Sequence, residues 1–289
     1  MSSRFSSVPL SLNSLVFCTL VAIGAFSAGL LGSLTGLGGG IVIVPMLTLL
    51  FGVDLRYAIG ASLISVIATS SGAATAYVKE GYTNVRVGML LEIATTTGAL
   101  GGAYLAGRVG TSAIAVIFSL VLLYSAYRST RPLAEHVTTE QAHPLAVKLR
   151  LNSTYPTATG MQTYAVQNVP AGFGLMVLAG VLSGLLGIGS GALKVLAMDQ
   201  LMHLPFKVST TTSNFMIGVT AAASAGIYLS RGYIDPGVSL PVMFGVLAGA
   251  LTGARILTRA KSPVLRRVFA VVVVVLALEM LYKGLTGGL

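Results

Sequence analysis

Gly36-Leu37-Gly38-Gly39-Gly40-Ile41-Val42-Ile43-Val44-Pro45 interrupts apolar sequence in a chain of 289 residues. The chain repeats it, altered, as Gly187-Ile188-Gly189-Ser190-Gly191-Ala192-Leu193-Lys194-Val195-Leu196. Residues with so little side chain cannot fill a core, so the backbone is the working part of each stretch: it turns sharply, approaches another segment or faces a ligand. Two readings stay open. Small residues are favoured where membrane helices pack closely. A Gly-interrupted segment at matching places in two halves is also the pointer to a transporter binding site.

Working outward, a shift of the sequence against itself by 151 positions aligns Gly29 through Arg108 with Gly180 through Arg259 without a gap, with about 20 identities over about 80 columns. The shared columns include Ser62 with Ser213, Thr69 with Thr220, Tyr77 with Tyr228 and Arg108 with Arg259. Two glycine-rich stretches can match through composition alone, but Ser, Tyr and Arg in the same columns mark a duplication.

Composition sets the class of the duplicated unit. Apolar residues make up 54% of the chain and charged ones 9%, with a mean hydropathy of +0.86, which a solvated globular surface does not tolerate. This is the composition of a polytopic membrane protein. The formal net charge is +10, yet the basic residues lie mostly between apolar runs, where they face lipid head groups and set orientation. Without a basic and aromatic stripe, nucleic acid is not an expected partner. The single cysteine, Cys18, excludes an internal disulfide and a cysteine-based metal cage. His136 and His143 lack neighbours at ligand spacing, and no role is assigned to His203. No metal site and no cofactor are expected.

Apolar segments fall near 15–34, 41–52, 57–78, 86–107 and 112–127, then near 171–186, 192–204, 208–229, 237–258 and 264–282. The first run continues past the core length of a signal peptide and is read as a retained span. Residues 128–169 are too polar to enter lipid, which divides the chain into a first transmembrane repeat (1–127), a polar linker (128–169) and a second repeat (170–289). The expected fold is an all-α polytopic membrane protein. An odd number of crossings in each half makes its two repeats inverted in topology, and each repeat contains short Gly-interrupted helices. A helix of about 12 residues is roughly 18 Å long against roughly 30 Å of hydrocarbon, so 41–52 and 192–204 cannot span alone, and each Gly turn is expected below the membrane surface.

With ten crossings, one side collects Lys79, Arg86, Arg128, Arg131, Lys148, Arg150, Lys207, Arg259, Lys261, Arg266 and Arg267, and the other collects Arg4, Arg56, Arg108, Arg231 and Lys283. The richer side is the expected cytoplasmic one.

Helices that begin after Gly40 and Gly191 would present free N–H groups and a positive dipole end, a geometry suited to a small anion. Neutral donors are at hand in Ser62, Ser65, Thr69, Ser70 and Ser71, and in Thr210, Thr211, Thr212, Ser213 and Asn214, although the same hydroxyls serve equally to bond helix to helix. Lys194 stands where the first half has Ile43. Burial of a lysine at a helix centre costs at least about 2.5 kcal/mol, so it faces a cavity or a partner, as an anion-attracting or proton-coupling group or as a snorkelling side chain with a structural counter-ion. Asp199, five residues on, is one candidate partner, though that separation places it on a different side of a straight helix. Glu92 and Glu279 are the other intramembrane carboxylates.

The paired Gly turns, with Pro45 after the first and with Gly60-Ala61-Ser62 and Thr211-Thr212-Ser213 at equal spacing, resemble the sulfite exporter TauE/SafE family of membrane permeases over nearly the whole chain outside 128–169. That resemblance implies transport of small sulfur-containing anions, such as sulfite or organosulfonates, across the bacterial inner membrane. Ser190 replaces a family glycine, Leu196 replaces the second-half proline, and Lys194 and Asp199 add charge. No nucleophile triad or phosphate-cradling loop suggests an enzyme.

The expectation is a secondary transporter working by alternating access. Its substrate site is built from Gly36, Gly38, Gly39, Gly40 and Ser62, and from Gly187, Gly189, Ser190, Gly191, Lys194, Thr212, Ser213 and Asn214. Proton coupling falls to Lys194, Asp199 and Glu92. A passive anion channel and a non-transporting scaffold are the alternatives. Oligomeric state stays open, a homodimer included.

Overall fold

The computed structural model describes residues 14–35, 39–79, 81–130, 142–157, 160–257 and 262–287. The first half runs α1 (Ser14–Thr35), α2 (Gly40–Pro45) continuing into a π-helical turn (Met46–Leu50), α3 (Leu55–Lys79), α4 (Val85–Ala106) and α5 (Thr111–Thr130). Between the halves come α6 (Pro144–Lys148) and an antiparallel hairpin of β1 (Ser153–Thr157) and β2 (Gly160–Tyr164). The second half repeats the first: α7 (Val169–Leu186), α8 (Gly191–Leu196) continuing into a π-helical turn (Ala197–Leu201), α9 (Phe206–Ser230), α10 (Pro236–Leu257) and α11 (Ser262–Thr286). The described chain is thus almost wholly helical, and the helices follow the apolar runs read from the sequence.

Local chemistry repeats with the sequence. Asn84 caps α4 by accepting from the Val87 amide at 3.0 Å, and Asp235, its counterpart 151 residues on, accepts from the Gly237 amide at 2.6 Å at the start of α10. Both side chains satisfy amides that a helix start leaves without partners. Gly52 and His203, again equivalent, both take positive φ, as do Gly81 and Gly232. Pro45 precedes the first π turn, but the second π turn begins at the same place after Leu196, so proline alone does not cause the change of helical register.

Tertiary contacts exchange under the same shift. Helix α1 packs on α10 as α7 packs on α4, α3 packs on α10 as α9 packs on α4, and α3·α9 and α5·α11 are their own counterparts. Glycines make the close crossings possible: a Cβ at Gly29 would run into the Val246 backbone and one at Gly180 into the Thr95 backbone, an equivalent pair. Outward lie Ile23, Met89, Ile93, Phe244, Val271 and Leu278, all exposed. An apolar surface of that extent suits lipid, not water. Val169–Leu186 and Pro236–Gly253 are each long and apolar enough to cross a bilayer.

Four described basic residues mark the two ends of the helices. At one end Arg56 donates to the Val109 carbonyl, and Arg231 donates to those of Ala103 and Tyr104. At the other, Arg86 donates to the Arg150 carbonyl and Lys207 lies over the Tyr82 ring. The end of the polar stretch between the halves is folded against this second end. Asn84 Nδ2 donates to the Leu151 carbonyl and to the Tyr164 hydroxyl, both at 2.8 Å. Burial pushes the Tyr164 phenol up to about 12, so it stays neutral in that network.

Candidate functional site

The glycine turns of the two halves meet. Ser62 Oγ, fully buried on α3, donates to the Gly187 carbonyl at 2.8 Å. A Cβ on Gly40 would lie 2.9 Å from Ser62 Oγ and 3.4 Å from that same carbonyl oxygen. Gly187 at φ +67°, Gly189 at +72° and Ser190 at +47° form a run of left-handed residues that only glycine enters without strain. Ser213, the equivalent of Ser62, donates to the Gly191 carbonyl at 3.3 Å. The first amides to find acceptors are those of Val42 and Ile43 on the Gly39 carbonyl, and of Leu193 and Lys194 on that of Ser190. Among the described residues, the amides just before them are donors that a helix start leaves unspent. Ser190 Oγ and Ser183 Oγ are buried there without a hydrogen-bond partner among the described residues.

One turn into α8, Lys194 is wholly buried. Its ammonium donates to Thr220 Oγ1 at 2.5 Å, and that hydroxyl donates in turn to Glu92 Oε1 at 2.7 Å. Thr96 donates to the same oxygen at 2.9 Å. Glu92 Oε2 lies 3.8 Å from Lys194 Nζ, beyond hydrogen-bond reach, and has no donor of its own. The pair is loose: among the described residues, two of the three N–H groups of Lys194 and one carboxylate oxygen of Glu92 are unspent, in a place where an unmatched polar group is costly. Helices α4, α8 and α9 therefore bring together a cation, a carboxylate and hydroxyls from both halves.

Of the residues singled out in the sequence, Gly39, Gly40, Ser62, Gly187, Gly189, Ser190, Gly191 and Ser213 gather at the meeting of the turns, with Lys194 one turn away. Gly36 and Gly38 lie outside the described residues. Thr212 is buried elsewhere, its hydroxyl accepting from the Asn84 amide at 3.0 Å. Asn214 is half-buried on α9. Lys194 takes Glu92 on α4 as its counter-ion, not Asp199, which is buried in the π turn after α8; Glu279 is exposed on α11. Sequence reasoning passed over Thr220, noticed only as a repeat column, and Thr96, although Glu92 and Thr96 stand four apart on one helix and so share a face.

The family model described as sulfite exporter TauE/SafE matches residues 20–280. The chain belongs to the TauE/SafE family. Similar proteins include the probable membrane transporter protein YunE of Bacillus subtilis (strain 168), 29% identical over 278 residues, covering 93% of this chain and 98% of the relative. The probable membrane transporter protein YdhB of the same organism is 25% identical, covering 82% and 89%. A probable membrane transporter protein of Xylella fastidiosa (strain 9a5c) is 26% identical, covering 92% and 95%. No solved structure matches significantly. With its family and its lipid-suited surface, this TauE/SafE chain is a membrane protein of the transporter class.

Proposed function

We propose that the chain is a secondary transporter of small sulfur-containing anions, such as sulfite or organosulfonates, in the bacterial inner membrane. It works by alternating access, coupled to protons. The observation that carries this reading is Lys194, a wholly buried cation with spare N–H groups, one turn beyond a glycine bend that meets its counterpart from the other half. A buried cation inside a membrane protein marks an ion or substrate path, and free amides beside it suit an oxyanion.

Residues 1–127 and 170–289 are read as inverted repeats. Each α2 or α8 with its π turn has eleven residues, at most about 16 Å of helix against about 30 Å of hydrocarbon. Such hairpins, entering from opposite faces, would bring the two bends together near the midplane, where transporters of this architecture hold their substrates. The end bearing Arg86, Arg150 and Lys207 is assigned to the cytoplasm.

The test is flux into liposomes holding the purified protein, with sulfite, thiosulfate, sulfate, sulfoacetate and taurine, with and without an imposed pH gradient. Saturable flux of at least one anion, changed by the gradient, is expected. Flux indifferent to the gradient would make the protein a passive channel, and no flux of any anion would end the anion reading.

A further inference from the structure

The Lys194–Glu92 pair carries an inference that rests on the anion reading and narrows it. We propose that Glu92 is a built-in competitor of the transported anion for Lys194, so that one singly charged anion binds only together with one proton.

The contacts provide for such an exchange. Glu92 is fixed through one oxygen alone, held by Thr220 and Thr96, while Oε2 faces the ammonium at 3.8 Å without a hydrogen bond. An anion that takes hydrogen bonds from the two spare N–H groups of Lys194 displaces that loose oxygen and leaves the Thr contacts intact. The carboxylate is then an uncompensated charge in a buried place and neutralises by taking a proton. The side chain of Glu92 is 12% exposed where that of Lys194 is 0%, so the proton has a route to the carboxylate.

Among the described residues, no other ionisable group stands in for Glu92. Helix α7, packed on α4, carries none. On α9, Lys207 lies over Tyr82 and Tyr228 donates to the Leu185 carbonyl. Arg86 of α4 is spent on the Arg150 carbonyl, and Asp199 in the π turn after α8 does not pair with Lys194.

Charge counting then sets the substrate class. Before binding, the ammonium and the carboxylate cancel. After binding, with Glu92 neutral, the ammonium cancels one negative charge of the guest. A doubly charged guest leaves one charge unmatched, so the site selects monoanions such as alkylsulfonates over dianions such as sulfate. Proton and anion travel in the same direction.

Binding of methanesulfonate and of sulfate to the purified full chain, with proton uptake followed in weakly buffered solution, tests this. Wild type is expected to take up one proton per methanesulfonate, to lose affinity about tenfold per pH unit wherever Glu92 is charged, and to bind sulfate at least about tenfold more weakly. Glu92→Gln keeps the shape and the Thr contacts, and is expected to bind methanesulfonate with no proton uptake and a flat pH profile. Binding by wild type without proton uptake would overturn the inference and leave the anion site standing, and that measurement needs no variant. Sulfate held as tightly as methanesulfonate would also overturn it. No binding of either probe to either protein would remove the anion site itself, and this inference with it.

Discussion

At position 43 the first half buries an isoleucine, and at the equivalent position 194 the second half buries a lysine; both are inaccessible to solvent. The surroundings diverge in step. Glu92 has Met243 as its counterpart, and Thr220, which bridges Lys194 to Glu92, has Thr69, which donates only to the Ser65 and Val66 carbonyls of its own helix. The first half shows that this fold is stable at that position with apolar packing alone. A buried ion pair is in general no better for stability than well-packed apolar residues, so folding does not explain the pair in the second half. A ligand does.

Copying the first half into the second separates these explanations. The double variant Lys194→Ile with Glu92→Met is expected to keep its thermal transition in detergent within a few degrees of wild type and to lose anion binding by more than about a hundredfold, as removal of a buried partner to a charged ligand does. Lys194→Ile alone leaves Glu92 without its cation and should unfold earlier than the double variant. A double variant that binds as wild type does would break the comparison.

The reverse copy, Ile43→Lys, puts a cation where Met243 offers no carboxylate. A loss of about 3 kcal/mol or more is expected, read as an earlier unfolding transition.

The backbone can be tested in the same way. Gly187→Ala meets the Ile59 side chain at 2.6 Å and its carbonyl at 3.0 Å, at φ +67°, and should cost about 1–3 kcal/mol. Gly52→Ala at φ +65° meets nothing within 4 Å and should cost only about 1 kcal/mol, the conformational part. Equal losses would mean that close contact at Gly187 does not matter.

Smallest is the hydroxyl pair. Ser62→Ala removes a 2.8 Å bond to the Gly187 carbonyl, worth about 1 kcal/mol, and Ser213→Ala should lose less, because its bond to Gly191 is 3.3 Å long.

The helices and the duplication were legible because hydropathy and a fixed shift of 151 residues leave direct marks in the sequence. The meeting of the turns was legible for the same reason: matching segments too short to span a bilayer must end inside the fold. The partner of Lys194 was not. Asp199 is near in sequence, but helical geometry turns it away, and the carboxylate that answers Lys194 arrives from α4, 102 positions earlier in the chain. Tertiary packing alone brings those positions together. The folded segments 142–157 and 160–168 were hidden as well, since their core contacts, Ala146, Leu151, Tyr164 and Val166, are too sparse to give a periodic signal.

The most direct test of the account is anion affinity of the purified chain with alanine at Lys194, set beside alanine at Lys148, which is exposed on α6. The account predicts that Lys194→Ala weakens binding of the transported sulfur anion by far more than Lys148→Ala, which should match wild type. Equal affinities in the two variants would contradict it and remove Lys194 from the site.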